Sequence, residues 1–158
     1  MGWDFLANIQ AGSATDLIDT GTIDAKNFLK IFVYTYLSGA ALPQVQFNGV
    51  TTTTYAWTGQ QNFATVSTAT GINSFYAYTD NQKPQYSEIN VANLDGEYKM
   101  ITITSSSGGA SDAASDIPSY RQGYAVWYAT AQVTSVQLVN VEAGDFNTGT
   151  MLTVFGSD

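Results

Sequence analysis

Hydrophobic and polar residues alternate along most of this chain with a period of two, the period of a half-buried strand rather than of a helix. Near the start, Trp3, Phe5, Ala7 and Ile9 alternate with Asp4, Asn8 and Gln10, with Leu6 as the exception. Asp16 to Asp24 reads as a turn-rich link around Asp19-Thr-Gly21. Asn27 to Leu37 is the longest strand candidate. Leu29, Ile31 and Val33 fall on one of its faces; Phe28, Phe32, Tyr34 and Tyr36 fall on the other. A strand apolar on both faces is usually buried on both. In a small all-β protein, one of the two covering layers can be a neighbouring subunit.

Ser38 to Pro43 is a break. Gln44 to Val50 predicts a strand, with Asn48-Gly49 as a hairpin-turn signal. Thr51 to Thr54 is β-branched and polar, which suits a sheet edge or a solvent-facing strand. Asn62 to Thr68 and Ile72 to Thr79 read as strands parted by a turn at Ala69-Thr-Gly71, and Asp80 to Pro84 as a loop. Glu88 to Leu94 and Glu97 to Thr104 predict a β-hairpin around Asp95-Gly96, the pair favoured in a type I′ turn. On its second arm Ile101 and Ile103 face inward, Thr102 and Thr104 outward.

Ser105 to Ser119 is rich in Ser, Gly and Ala and reads as a long exposed loop. Tyr120 to Ala131 is the next strand, with Tyr124, Val126 and Tyr128 opposite Ala125, Trp127 and Ala129. Two closing runs, Val133 to Val141 and Thr150 to Gly156, flank a loop from Glu142 to Gly149. The last run needs a sheet partner, because a terminal strand otherwise frays. Gly144 and Gly149 permit positive φ. Phe146 is placed to plug the sheet end, with Asp145 and Asn147 bonding local backbone. No helix-length amphipathic pattern is present; Asp112 to Ile117 makes one helical turn at most. About eight short strands separated by turn signals predict an all-β, single-domain antiparallel β-sandwich over residues 1–158, jelly-roll-like.

Composition narrows the function. The charged fraction is 11%, well below the usual quarter, while the hydrophobic fraction is an ordinary 44%. The polar surface is therefore built from Thr, Ser, Asn and Gln, as in β-rich extracellular and virion-surface proteins. Net charge is −8, which speaks against nucleic acid and against an anionic membrane surface as partners. No stretch is long and apolar enough to span a bilayer. The N-terminus has no basic region and no apolar run, so no signal peptide is expected. Gly2 lacks the Ser or Thr at position 6 that myristoylation wants.

Catalytic chemistry is hard to find. There is no cysteine and no histidine, which removes thiolate metal sites and the commonest general base near neutral pH. Asp16, Asp19 and Asp24 cluster, as do Asp112 and Asp116, but all lie in turn-like sequence where Asp is favoured for local bonding. Neither Asp112-Ala-Ala-Ser-Asp116 nor Glu142-Ala-Gly-Asp145 has the ligand spacing of an EF-hand. Lys26, Lys30, Lys83 and Lys99 stand in no motif spacing to a serine. No catalytic, cofactor-binding or metal-binding residue is expected. Aromatics make up 13% of the chain. Core packing is favoured for Trp3, Phe5, Phe28 and Trp127; Tyr34, Tyr36, Tyr76, Tyr78 and Tyr86 stand evenly between core and interface.

From Ile89 onward the chain resembles small virion structural proteins of marine phages. The residues that carry the likeness are Val91 to Met100, Ile117-Pro-Ser-Tyr-Arg121, Gly123-Tyr-Ala-Val-Trp127 and Val133 through Gly156. In the closing segment Asn140, Gly144, Phe146, Gly149, Thr150, Val154 and Gly156 fill the pattern. Trp3-Asp-Phe-Leu6, Asp19 to Asp24 and Lys26 to Ile31 look similar too, so both ends match better than the middle. Proteins of this group decorate heads or associate with tails. The resemblance implies a capsid decoration (cement) protein, made in the host cytoplasm and located on the virion. It also implies a homo-oligomer, a trimer, bound to the major capsid protein or another virion protein, with no cofactor. Phe28, Phe32, Tyr34 and Tyr36 are the expected subunit interface. The alternative is a receptor- or glycan-binding module of a tail or head fibre, using exposed aromatics and the Ser105 to Ser119 loop.

Overall fold

The computed structural model describes residues 2–39, 41–60, 67–72, 84–108 and 119–158. Most of the strands expected at Asn62 to Thr68 and Ile72 to Thr79 lies outside these residues, as do Tyr76, Tyr78, Lys83, Asp112 and Asp116. The described chain is all β. Its strands are β1 (Asp4–Gln10), β2 (Leu17–Asp19), β3 (Phe28–Thr35), β4 (Leu37–Ser38), β5 (Pro43–Phe47), β6 (Tyr55–Gln60) and β7 (Ser67–Ala69). They continue as β8 (Gln85–Ala92), β9 (Lys99–Ser107), β10 (Ser119–Trp127), β11 (Val136–Asn140), β12 (Asp145–Phe146) and β13 (Met151–Ser157).

An eight-stranded antiparallel sheet runs in the order β1-β13-β3-β8-β9-β10-β6-β7. A three-stranded sheet, β2-β11-β5, packs on one of its faces, and a small β12-β4 pair closes one end. The result is the expected jelly-roll-like sandwich. Alternation decides which side chains meet in the middle. Leu29, Ile31 and Val33 of β3, Ile89 and Val91 of β8, and Ile101 and Ile103 of β9 all point inward and are buried. Ile18, Val45, Val136 and Leu138 meet them from the small sheet.

Aromatic side chains lock the two layers together. Trp127 of β10 stacks on Tyr55 of β6, ring centroids 5.9 Å apart, and Phe47 at the end of β5 meets both, at 5.6 and 6.2 Å. The Tyr55 hydroxyl accepts the Phe47 N–H at 2.8 Å. A side chain of the large sheet thus serves the last backbone donor of a small-sheet strand.

The loops are tied by polar side chains that bond backbone groups outside the ladders. Asn48 and Gly49 are both left-handed (φ 52° and 66°), as an Asn-Gly turn requires. The turn is as expected; the hairpin is not. β5 leaves it to pair with β11, while β6 joins the other sheet. The Asn48 side chain accepts from the Thr134 and Ser135 N–H groups and donates to the Gln132 carbonyl. Asn93, wholly buried, accepts from the Val133 N–H at 2.7 Å and donates to the Lys26 carbonyl at 2.8 Å. Lys99 is also buried; its ammonium donates to the carbonyls of Leu94, Glu97 and Thr130. These bonds widen the β8–β9 connection. Ala92 and Met100 close the ladder, and of Asp95-Gly96 only the glycine is left-handed. A two-residue type I′ turn does not form.

Three other expectations are corrected. Leu17 to Asp19, read as part of a link, is a strand paired with β11. Thr51 to Thr54 is an exposed bend, because its neighbours are already committed to different sheets. Ser105 to Ser107 extend β9 instead of starting a loop, pairing with both β8 and β10. β6 (Tyr55–Gln60) is a further strand, in a stretch where the pattern predicts none.

The two closing runs do not pair with each other: β11 belongs to the small sheet and β13 to the large one, between β1 and β3. The loop between them crosses the sandwich end. Phe146 is fully buried there, as expected of a plug, and Gly144 and Gly149 have φ of 115° and 95°. Asn140, rather than Asp145 or Asn147, holds the loop, donating to the Glu142 and Gly144 carbonyls and accepting from the Leu42 N–H.

Gly144 has no room for a side chain, since a Cβ there lies 2.2 Å from the Ser38 carbonyl oxygen. Gly144→Ala is expected to cost at least about 2 kcal/mol through strain and backbone clash, measured by urea unfolding. Burial pushes the Tyr55 hydroxyl up to about 12, against a partly compensating bond from Phe47. The unfolded chain therefore ionises this tyrosine first, and its contribution to stability, intact below about pH 10, falls as pH rises toward the folded value. Tyr55→Phe is expected to cost about 1–2 kcal/mol at neutral pH and to flatten the alkaline decline of the melting temperature.

Candidate functional site

With one face of the large sheet covered by β2, β5 and β11, its other face is open to solvent. β3 presents Phe28, Lys30, Phe32 and Tyr34 there, and register carries the same side across the sheet. Tyr86, Glu88, Asn90 and Ala92 of β8 face the same way, followed by Met100, Thr102 and Thr104 of β9 and Gln122, Tyr124 and Val126 of β10. On the far side lie Met151, Thr153 and Phe155 of β13 and Phe5 of β1.

Three residues expected in the core are here instead. Trp3 is 50% exposed, Phe5 63% and Phe28 44%. The reason for Phe5 is local. Register shifts between Phe5 and Ala7, so Leu6 is a bulge residue that turns Phe5 outward while Ala7 stays buried. The break in alternation at Leu6 was the sequence's only sign of it. Trp127 keeps its expected core position. Of the expected interface residues, Phe28, Phe32 and Tyr34 share the outer face of β3; Tyr36, also exposed, follows the strand.

The face has two halves. Toward β1, rings form a chain. Phe5 meets Phe155 at 5.8 Å, Phe155 meets Phe32 at 6.0 Å, and Phe32 stacks on Tyr86 at 6.2 Å. Toward β6, small side chains leave an open groove of about 650 Å³. Ala56, Ala92 and Val126 line it with Asn90, Thr58 and Thr102, and Trp3, Phe28, Met100 and Tyr124 stand around them.

The charge on this face is self-cancelling. Lys30 and Glu88 are the charged residues among its described side chains, and they pair at 2.9 Å. The Lys30 ammonium also lies 5.8 Å from the rings of both Trp3 and Phe32. Its bond holds the Glu88 carboxyl below the usual range, and burial pushes the Tyr86 hydroxyl up.

Two of the acids weighed as catalytic groups, Asp16 and Asp19, are bound into the fold, while Asp24 is exposed. Asp16 accepts from the Asn140 amide, and Asp19 from the Gly21 N–H and the Gln137 amide. Lys26 pairs with Asp158 at 2.8 Å and Asp4 at 3.0 Å, bonds that keep its ammonium protonated well above the usual lysine range. Among the described residues no group of three or more acids forms a metal-ligating cluster.

No family model matches the chain, and no curated protein does. Among solved structures, a marine PL-14 alginate lyase from Aplysia kurodai is similar at 6% identity and a TM-score of 0.34, over 82% of this chain and 70% of that one. A likeness this low carries no argument.

Lys30→Met tests the electrostatics of the face. The Glu88 carboxyl is expected to titrate at a higher pH than in the parent protein, followed by NMR, while stability changes by less than about 1 kcal/mol because the pair is partly exposed.

Proposed function

We propose that this chain is a virion structural protein, a decoration protein that binds a phage head shell from outside and stabilises it. The observation that carries the reading is the outer face of the large sheet. It is broad, aromatic and free of net charge, on a molecule whose net charge is −8. Large exposed apolar patches on soluble proteins mark surfaces that meet other macromolecules. The sequence likeness to marine-phage virion proteins supplies the setting. The Thr-, Ser- and Asn-rich surface and the lack of histidine and cysteine agree with a mechanical role.

In this reading copies of the chain join through the residues of β3, and their loops bridge neighbouring subunits of the major capsid protein or another virion protein. Bridging resists the outward pressure of packaged DNA. The work is done by area and shape, and no substrate is turned over.

A second reading has its own observation. Trp3 and Tyr124 stand beside a groove that also presents Asn90, Thr58 and Thr102. Rings flanking polar groups suit a neutral sugar, and a receptor- or glycan-binding module of a tail or head fibre would use them. A glycan array separates the two, since sugar-specific binding by the isolated protein sinks the pure decoration reading.

The combined substitution Phe32→Ser, Tyr34→Ser, Tyr36→Ser tests the leading one. It is expected to weaken self-association and to abolish binding to heads that lack the protein, read by light scattering and by co-sedimentation. Unchanged assembly and unchanged head binding would overturn the assignment.

A further inference from the structure

We propose that the outer face of the large sheet is closed by a second copy of this chain, the two packed face to face about a two-fold axis that runs along the strands. The inference concerns the chain alone and does not rest on the virion reading.

The face is self-complementary in shape. Its β1 half carries the ridge of rings from Phe5 through Phe155 and Phe32 to Tyr86. Its β6 half carries the groove, where small side chains such as Ala56 and Ala92 leave about 650 Å³ open. A two-fold axis between the sheets and parallel to the strands exchanges left and right. It sets the β1 end of each ridge, Phe5 and Phe155, over the groove of the other copy, where Thr58, Thr102 and Tyr124 lie at the same level along the strands, and it sets Phe32 beside the groove. The contact is made twice, as an isologous interface requires. Aligned sheets pack in this way about 10 Å apart, at a modest angle set by their twist.

The face is also self-complementary in charge. Two molecules of net charge −8 repel, and an interface between them must hold no unpaired acid. On the outer face Lys30 and Glu88 already neutralise each other. Asp19 lies in β2 of the small sheet, and Asp16, Asp95, Glu97 and Glu142 lie in connections between strands. A cationic partner would find no net charge to recognise here.

The area is sufficient. Eight strands at about 4.8 Å spacing and about seven residues at about 3.3 Å give a footprint of roughly 900 Å². Specific interfaces bury about 800 Å² on each partner.

Sedimentation equilibrium on the full chain tests the proposal. Interfaces of this size dissociate at micromolar concentrations or below, so the parent protein is expected to run as a dimer at about 100 µM. Thr102→Arg places a charge in the groove at an exposed position, and Phe32→Glu places one in the ridge. Each is expected to weaken association at least about 100-fold. Thr22→Arg, in an exposed turn before β3, leaves the dimer intact. Circular dichroism checks folding, and should Phe32→Glu unfold the chain, Thr102→Arg alone decides. A monomeric parent overturns the proposal and leaves the face to another occupant. A trimer overturns the two-fold arrangement. A dimer that survives Thr102→Arg places the contact elsewhere.

Discussion

An eight-stranded sheet has two faces, and the described strands of this chain cover one of them. Everything else follows from how that one face is sealed. Three short strands supply the lid, so its grip depends on large side chains. Trp127, Tyr55 and Phe47 fill the space between layers, and burying each contributes about 2–3 kcal/mol. The Tyr55 hydroxyl adds direction, because it meets the Phe47 backbone where β5 ends. Without that contact the last residue of β5 has a donor pointed into an apolar layer. Among the described residues no element covers the opposite face, and its aromatic content has to be explained by something other than this fold's own core.

The lid is fastened at its rims by side chains that imitate backbone. Asn48, Asn93 and Asn140 each bond more than one main-chain group, in loops where no ladder can reach. Lys99 does the same with three carbonyls. Burial lowers its pKa, so the buried ammonium carries a desolvation cost that those carbonyls offset. Met100, the next residue, turns outward to the groove, and Ala92 lies opposite it in the ladder. The same fastening that fixes the lid therefore fixes one end of the open face.

Alternation made much of this legible in sequence. The two-sided character of Phe28 to Leu37, the inward Ile101 and Ile103, and the inward Trp127 all follow from a period of two. What alternation cannot carry is which sheet a strand joins. Val133 to Val141 and Thr150 to Gly156 flank one loop, yet they enter different layers, because their pairing partners in β1, β2, β3 and β5 lie far back along the chain. Bulges defeat it too. One extra residue at Leu6 reverses the side on which Phe5 emerges, so a ring that counts as core by pattern becomes the first ring of the outer ridge. Lys99 was unreadable for another reason: a lysine between Tyr98 and Met100 has no sequence mark that tells a buried cation from a solvated one. The candidate site was half visible. Phe28, Phe32 and Tyr34 are on it, but the groove depends on small residues of β6, β8 and β10 brought together only by the sheet.

An exposed apolar face also needs protection from the wrong contacts. A sheet edge is the usual danger, since its unpaired backbone groups accept any strand. At the β1 edge the chain has blunted that route. The bulge at Leu6 breaks the regular run of donors and acceptors, and the ion cluster of Lys26 with Asp4 and Asp158 places charge beside it. Gly156 makes room for that cluster, because a Cβ there lies 2.6 Å from the Lys26 side chain. Charge is concentrated where strand addition would occur and cancelled where the rings are exposed. A molecule arranged this way resists strand addition at its β1 edge, while its broad face carries exposed rings without net charge.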